Sequence, residues 1–155
     1  MKTTTLLAVA MAAALCACSS VTPPSTSLRV IATDDAPKAA GPYSQAIVSG
    51  GFLYAAGQTP RDPTTGKQVA DSFEQAANRV LDNLEAVLKA EGLNWTDVVK
   101  TTVYLTKAED FAPMNNLYAQ RMGAGKPART TVIVAGIPGG ALLEMDLVAQ
   151  VRTGH

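Results

Sequence analysis

The stretch from Asp71 to Glu91 sets the terms for the rest of the chain. Phe73, Ala77, Val80, Leu81, Leu84, Val87 and Leu88 recur at the spacing of one helical face. Asp71 and Glu74 have capping-box spacing at the start, and Gly92 stands at the C′ position, where helices end. A helix with one apolar stripe needs one apolar surface to lie on, and the flanking runs supply a sheet. Leu28 to Ala32 reads as a first strand. Ala46–Val48 and Phe52–Gly57 flank Gly50-Gly51, a two-residue hairpin signal, and Gly57 suggests a close approach to the backbone there. Thr59 to Gln68, with Pro60, Pro63 and Gly66, is a loop. Val98–Leu105, Thr130–Ala135 and Ala141–Val151 are further strands, rich in β-branched and aliphatic residues. A second helix runs from Asp110 to Met122 with Phe111, Met114, Leu117 and Tyr118 on one side; Pro113 fits only in its first turn. The order β-β-β-α-β-α-β-β predicts an α+β fold, one sheet with two helices on one face. Its other face needs a cover, which an oligomer would provide.

Composition removes several function classes. The chain has 155 residues, 47% hydrophobic, with 17% charged and a formal charge of zero. That is one folded domain without the basic block that phosphate-backbone binding requires. The one histidine is His155, and the cysteines are Cys16 and Cys18. A His/Cys zinc site and a Ser-His-Asp triad are therefore excluded.

The start of the chain reads as an address. Lys2 precedes an apolar run from Leu6 to Leu15 that is too short to span a bilayer as a helix. Leu15-Cys16-Ala17-Cys18-Ser19 then resembles a bacterial lipobox with Cys18 as lipid acceptor; an ordinary secretory signal cut near Ala17 is the plainer alternative. The expected division is a lipoprotein signal peptide over 1–17, a lipidated Cys18 with a Pro/Ser/Thr tether over 18–27, and the folded domain over 28–155. This places the protein on the periplasmic face of a membrane, and Ser19 favours the outer membrane.

Two residues in the second half draw attention. Gly125-Lys126-Pro127-Ala128 delivers Arg129 to the mouth of a β-branched run, followed by Thr130 and Thr131. Guanidinium is a planar fork of donors matched to a carboxylate. Glu144 and Asp146 sit at alternate positions of an apolar run and share a face. The plain reading puts both on the wet face of an edge strand, and Asp146 is assigned there, while Glu144 is left open. If Glu144 faces a cleft instead, burial and a nearby Arg129 would pull its pKa in opposite directions.

Gly41-Pro42-Tyr43-Ser44-Gln45, Ala56-Gly57-Gln58, Val98 through Leu105, Pro127-Ala128-Arg129-Thr130 and Leu143-Glu144-Met145-Asp146, in this order, resemble the reactive intermediate deaminase family, RidA or YjgF. The resemblance runs from about Ile31 to Val151. It implies a chorismate-mutase-like fold, a homotrimer with clefts between subunits, and hydrolysis of 2-imino acids such as 2-iminopropanoate to 2-oxo acids and ammonia without cofactor or metal. Carried over, Arg129 is the carboxylate-binding arginine and Glu144 the glutamate that positions water. Tyr43 and Asn115 line the pocket, and the Gly57 backbone contacts the carboxylate. Thr131 stands where many members have cysteine, and Ala56 where many have serine.

A non-catalytic trimer that holds a small carboxylate is the main rival reading; RNA cleavage is disfavoured by the neutral charge. Trp95 and Tyr104 read as packing, Lys100 as solvated, and Arg61 and Arg121 as candidates for the cleft rim.

Overall fold

In the computed structural model, residues 28–152 are described. The segments expected to be a leader and a tether, with the expected lipid acceptor Cys18, lie outside them. Strands β1 (Arg29–Ile31), β2 (Ala46–Ser49) and β3 (Phe52–Gln58) come first, then helix α1 (Phe73–Ala90). Next are β4 (Val98–Leu105), α2 (Phe111–Met122), β5 (Ala128–Ile133) and β6 (Leu143–Gln150). Short 3₁₀ turns at Trp95–Asp97, Ala108–Asp110 and Pro138–Gly140 punctuate the second half. The expected element order holds throughout.

Local chemistry explains the boundaries. Gly50 and Gly51 both have positive φ and join Ser49 to Phe52 in the anticipated tight hairpin. The cap of α1 differs from expectation. Ser72, not Asp71, is the N-cap: its backbone is extended and its hydroxyl accepts from the Gln75 N–H. Gly92 follows the helix with φ near 71°, so the chain leaves through the left-handed region. Strand β5 starts at Ala128, which puts Arg129 inside the strand rather than at its mouth.

The sheet order is β1-β2-β3-β6-β4-β5. The last strand in sequence is therefore central, antiparallel to both β3 and β4. This corrects the edge-strand reading of Glu144 and Asp146. Pairing by sequence neighbourhood would have left β6 outside, but its alternating pattern suits a strand bonded on both sides with one apolar face. Strand β5 runs parallel to β4 and forms an edge, with α2 as the connection between them.

One face of the sheet carries the core. Leu53 and Ala55 of β3, Val103 and Leu105 of β4, and Leu143, Met145, Leu147 and Ala149 of β6 are buried against the stripe of α1 and against Met114, Tyr118 and Met122 of α2. Arg121, expected at a cleft rim, instead ties the helices together by donating to Asp82 at 2.8 Å and Glu85 at 3.1 Å. Leu84 lies at the centre of the stripe with no exposed surface. Leu84→Ala is expected to cost about 3 kcal/mol, read as a lowered urea midpoint at unchanged slope. A loss below about 1 kcal/mol would mean that the helix does not seal the core.

Among the described residues no helix covers the opposite face. Tyr54, Lys100, Thr102, Tyr104, Val132, Glu144, Asp146 and Val148 project from it and are only partly covered or exposed. Tyr104 is more than packing, since its hydroxyl donates to Asp146 at 3.0 Å. Lys100 is half-buried rather than solvated, donating to Thr130 Oγ1 at 2.7 Å and to the Thr101 carbonyl.

Candidate functional site

The register settles where the expected residues stand. Arg129 pairs with Thr101, which pairs with Leu147, so all three point toward the helices. Glu144 pairs with Tyr104, which pairs with Val132, and these point the other way. Arg129 and Glu144 are thus on opposite faces of their own sheet. The odd offset of three positions along β5 sets them apart within one chain, and the Glu144 pKa is governed by burial and Asp146 rather than by a nearby Arg129.

On the helix face, Arg129 is held between aromatic rings. Its guanidinium carbon lies 4.6 Å from the Tyr118 centroid and 6.0 Å from that of Phe111. One Nη donates to Asn115 Oδ1 at 2.8 Å, and Tyr118 is itself fixed by a 2.9 Å bond to Thr101. Among the described residues no carboxylate lies within salt-bridge reach of Arg129. Thr131 is two residues along on the same face, with its hydroxyl buried and without a partner among those residues. Arg129 and Asn115 share a shallow cavity with Tyr118, Lys126 and Pro127. This half-site offers a stacked, aimed and unneutralised cation.

On the opposite face, Tyr43, Gly57 and Glu144 line a second cavity of about 500 Å³ with Ala56, Gln58 and Arg61. Here β3 bulges: Ala55 pairs with Leu147 and Gln58 with Met145, leaving an extra residue on β3. Gly57 sits in that bulge directly over Glu144. A Cβ on Gly57 would run into Glu144 Oε1, so the close approach read from the glycine is the carboxylate itself. Tyr43 is 54% exposed, and its hydroxyl accepts from the Ala40 N–H, leaving the phenolic proton free for another partner.

Burial raises the Glu144 pKa above its ordinary value, and the Asp146 carboxylate two residues away adds to the rise. A raised pKa has a signed consequence. If ionised Glu144 is the active form, turnover climbs as pH rises through its pKa. Asp146→Asn removes the neighbouring charge, so the acid limb of kcat/KM is expected to move to lower pH. An unmoved limb would assign it to another group. Stability runs the other way: the folded state holds the Glu144 proton more tightly than the unfolded chain does, so ionisation weakens folding as pH rises through that window.

Two polar residues with structural duties were missed. Gln45 is buried; its side chain accepts from Thr33 N–H and donates to the carbonyls of Thr33, Ala36 and Pro37, shaping the loop that carries Tyr43. Asn83 is wholly buried in the α1 stripe and donates to the carbonyls of Thr59 and Arg61. An amide on the apolar face was the available signal for Asn83. Among the described residues, no cluster of three or more His, Cys, Asp or Glu could hold a metal ion.

A mixed six-stranded sheet with two helices on one face, an aimed arginine and a half-buried glutamate defines a small α+β domain with a candidate half-site on each face of its sheet. The profile of the family described as endoribonuclease L-PSP matches residues 33–151, and the chain belongs to this family, also called RidA/YjgF. A RutC family protein of Pyrococcus horikoshii is 48% identical over 120 residues, covering 77% of this chain and 95% of that one. The human 2-iminobutanoate/2-iminopropanoate deaminase is 41% identical over 121 residues, covering 78% and 88%. The crystal structure of E. coli TdcF with bound serine superposes with a TM-score of 0.75 at 37% identity, covering 81% and 99%.

Proposed function

We propose that this protein hydrolyses 2-imino acids, with their enamines, to 2-oxo acids and ammonia, in clefts between copies of a homotrimer. The observation that carries the reading is the split site: a cation without an acid partner on one face of the sheet and a half-buried carboxylate on the other. Neither half is sufficient alone. A second copy laid against the open sheet face would bring one chain's Glu144 to its neighbour's Arg129, and would cover that face. The relationship to the human deaminase supports the reaction class.

The chemistry follows from the groups. Arg129, held on Tyr118 by Asn115, takes the substrate carboxylate and so fixes the adjacent imine carbon. Thr131 supplies a hydroxyl beside it. Across the cleft Glu144 orients a water toward that carbon, with Tyr43 and the Gly57 backbone as walls. Water adds, the C–N bond breaks after proton transfer, and ammonia leaves. Positioning is most of the work, since a bare imine is already reactive toward water.

The test generates 2-iminopropanoate with an amino-acid oxidase in the presence of semicarbazide. Wild-type protein should suppress semicarbazone formation, while Arg129→Ala and Glu144→Gln should not. No suppression by wild type with several amino acids would defeat the reaction.

A non-catalytic carboxylate-binding trimer is the second reading, favoured by the serine bound in the TdcF structure. Turnover lost in Glu144→Gln while ligand binding survives separates the two. The reading also includes export and anchoring through Cys18, with the domain on the periplasmic face. Fatty-acid labelling of the full chain, abolished in Cys18→Ser, tests the anchor; unlabelled wild type defeats it.

A further inference from the structure

The cavity that holds Glu144 contains a second arginine that the reaction above leaves unused. Arg61 lies in the loop between β3 and α1, and that loop is built around it. The fully buried Asn83 of α1 donates to the Arg61 carbonyl at 2.9 Å. Arg61 N–H donates to the Thr59 carbonyl, and Arg61 pairs across the loop with Gln68 in a lone antiparallel bridge. The turn beyond is locked by Asp62, which accepts from the N–H groups of Thr64 and Thr65. These contacts fix the backbone of Arg61 before any side-chain interaction is counted.

The guanidinium is also aimed. Its Nη1 donates to the Gly66 carbonyl at 2.9 Å. Its Nη2 would stand 3.9 Å from a Cβ on Gly139, so the head rests against the Pro138–Gly140 turn at the cavity wall. Among the described residues, no carboxylate lies within salt-bridge reach of it, and Nε and Nη2 have no acceptor. That free edge is a two-donor fork of the shape that grips one carboxylate. Lys38 adds a second positive charge to the same cavity; among the described residues it makes one loose, exposed ion pair, with Asp34 at 3.6 Å. A preorganised cation without a counter-ion, in the cavity of the water-positioning glutamate, has one evident use: recognition of an anionic group on the substrate side chain.

We propose that Arg61 is a specificity-determining residue and that the preferred substrates are 2-imino acids bearing a second carboxylate, the imines of glutamate and aspartate. This rests on the deaminase reading. Arg129 of one copy takes the carboxylate beside the imine, Glu144 directs water, and Arg61 takes the carboxylate at the far end. The cavity, about 500 Å³, is of the size that small-molecule sites have. The reaction balances without another reagent: the C=N bond of 2-iminoglutarate breaks, the water oxygen becomes the keto oxygen, and the water protons leave with ammonia. The reaction that supplies such a substrate is the two-electron oxidation of an acidic amino acid.

The experiment compares 2-iminoglutarate with 2-iminopropanoate, each made in situ by an oxidase and followed by semicarbazide trapping. Wild type is expected to favour 2-iminoglutarate in kcat/KM. Arg61→Leu and Arg61→Gln are expected to lower that preference by about 30-fold, mainly through KM. A purely structural Arg61 would reduce both substrates alike and leave the ratio where it was, which overturns the proposal. So does wild type that favours 2-iminopropanoate. If wild type hydrolyses neither imine, calorimetric titration decides. Tighter binding of 2-oxoglutarate than of 2-oxobutanoate, lost in Arg61→Leu, sustains the role of Arg61 while the deaminase reading falls. Equal affinities overturn both.

Discussion

A 1:1 mixture of Arg129→Ala and Glu144→Gln chains, unfolded and refolded together, is expected to recover about a quarter of wild-type imine hydrolysis. Each variant alone should be reduced by about 100-fold or more, because each removes a group that acts on the reacting centre. The recovery follows from the register. Arg129 faces the helices and Glu144 faces away from them, so a cleft between chains draws one from each. Random assembly places an intact Arg129 opposite an intact Glu144 in about one cleft in four. The measurement is semicarbazide-trapped turnover before and after co-refolding, with the variants mixed without unfolding as control. No gain on co-refolding would show that the two residues do not meet across an interface, and the trimeric cleft would fall with that result.

Gly57→Ala is expected to cost about 10- to 100-fold in kcat with little loss of stability. The φ of Gly57 is not in the left-handed region, so alanine suits its backbone. The added methyl, however, takes the space that Glu144 Oε1 occupies. A flexible side chain yields to a methyl group, so the carboxylate swings away and the fold survives. The water then loses its guide. Thermal unfolding and turnover are measured on the same preparation. Full activity in Gly57→Ala would mean that the observed Glu144 position is not the working one. A collapse of stability would mean that the bulge cannot tolerate the methyl at all.

Much of this architecture is legible in the residues themselves. The element order came from period and punctuation: the α1 stripe, the Gly50-Gly51 turn, the β-branched runs. Local signals of this kind carry no information about which strands meet. Hence β6 was read as an edge and is central, and the parallel pairing of β4 with β5 was not anticipated. The site residues were legible one by one, yet their distribution between two faces depends on register across three strands. Gly57 is instructive: its sequence context announced a close approach, and only the fold could name Glu144 as the visitor. Arg61 and Arg121 looked alike as rim candidates. One lies in the cavity and the other clasps two helices, a difference set by contacts distant in sequence.

The central place of β6 has a consequence for synthesis. Until residues 143–150 emerge, β1-β2-β3 and β4-β5 are two separate pieces of sheet with no strand to join them. The core seals only when that strand slots between them, so a nascent chain stays open until β6 has been made. A product that stops before Leu143 would present two raw strand edges to its surroundings. For such a chain the making of one strand separates a folded protein from proteolytic waste.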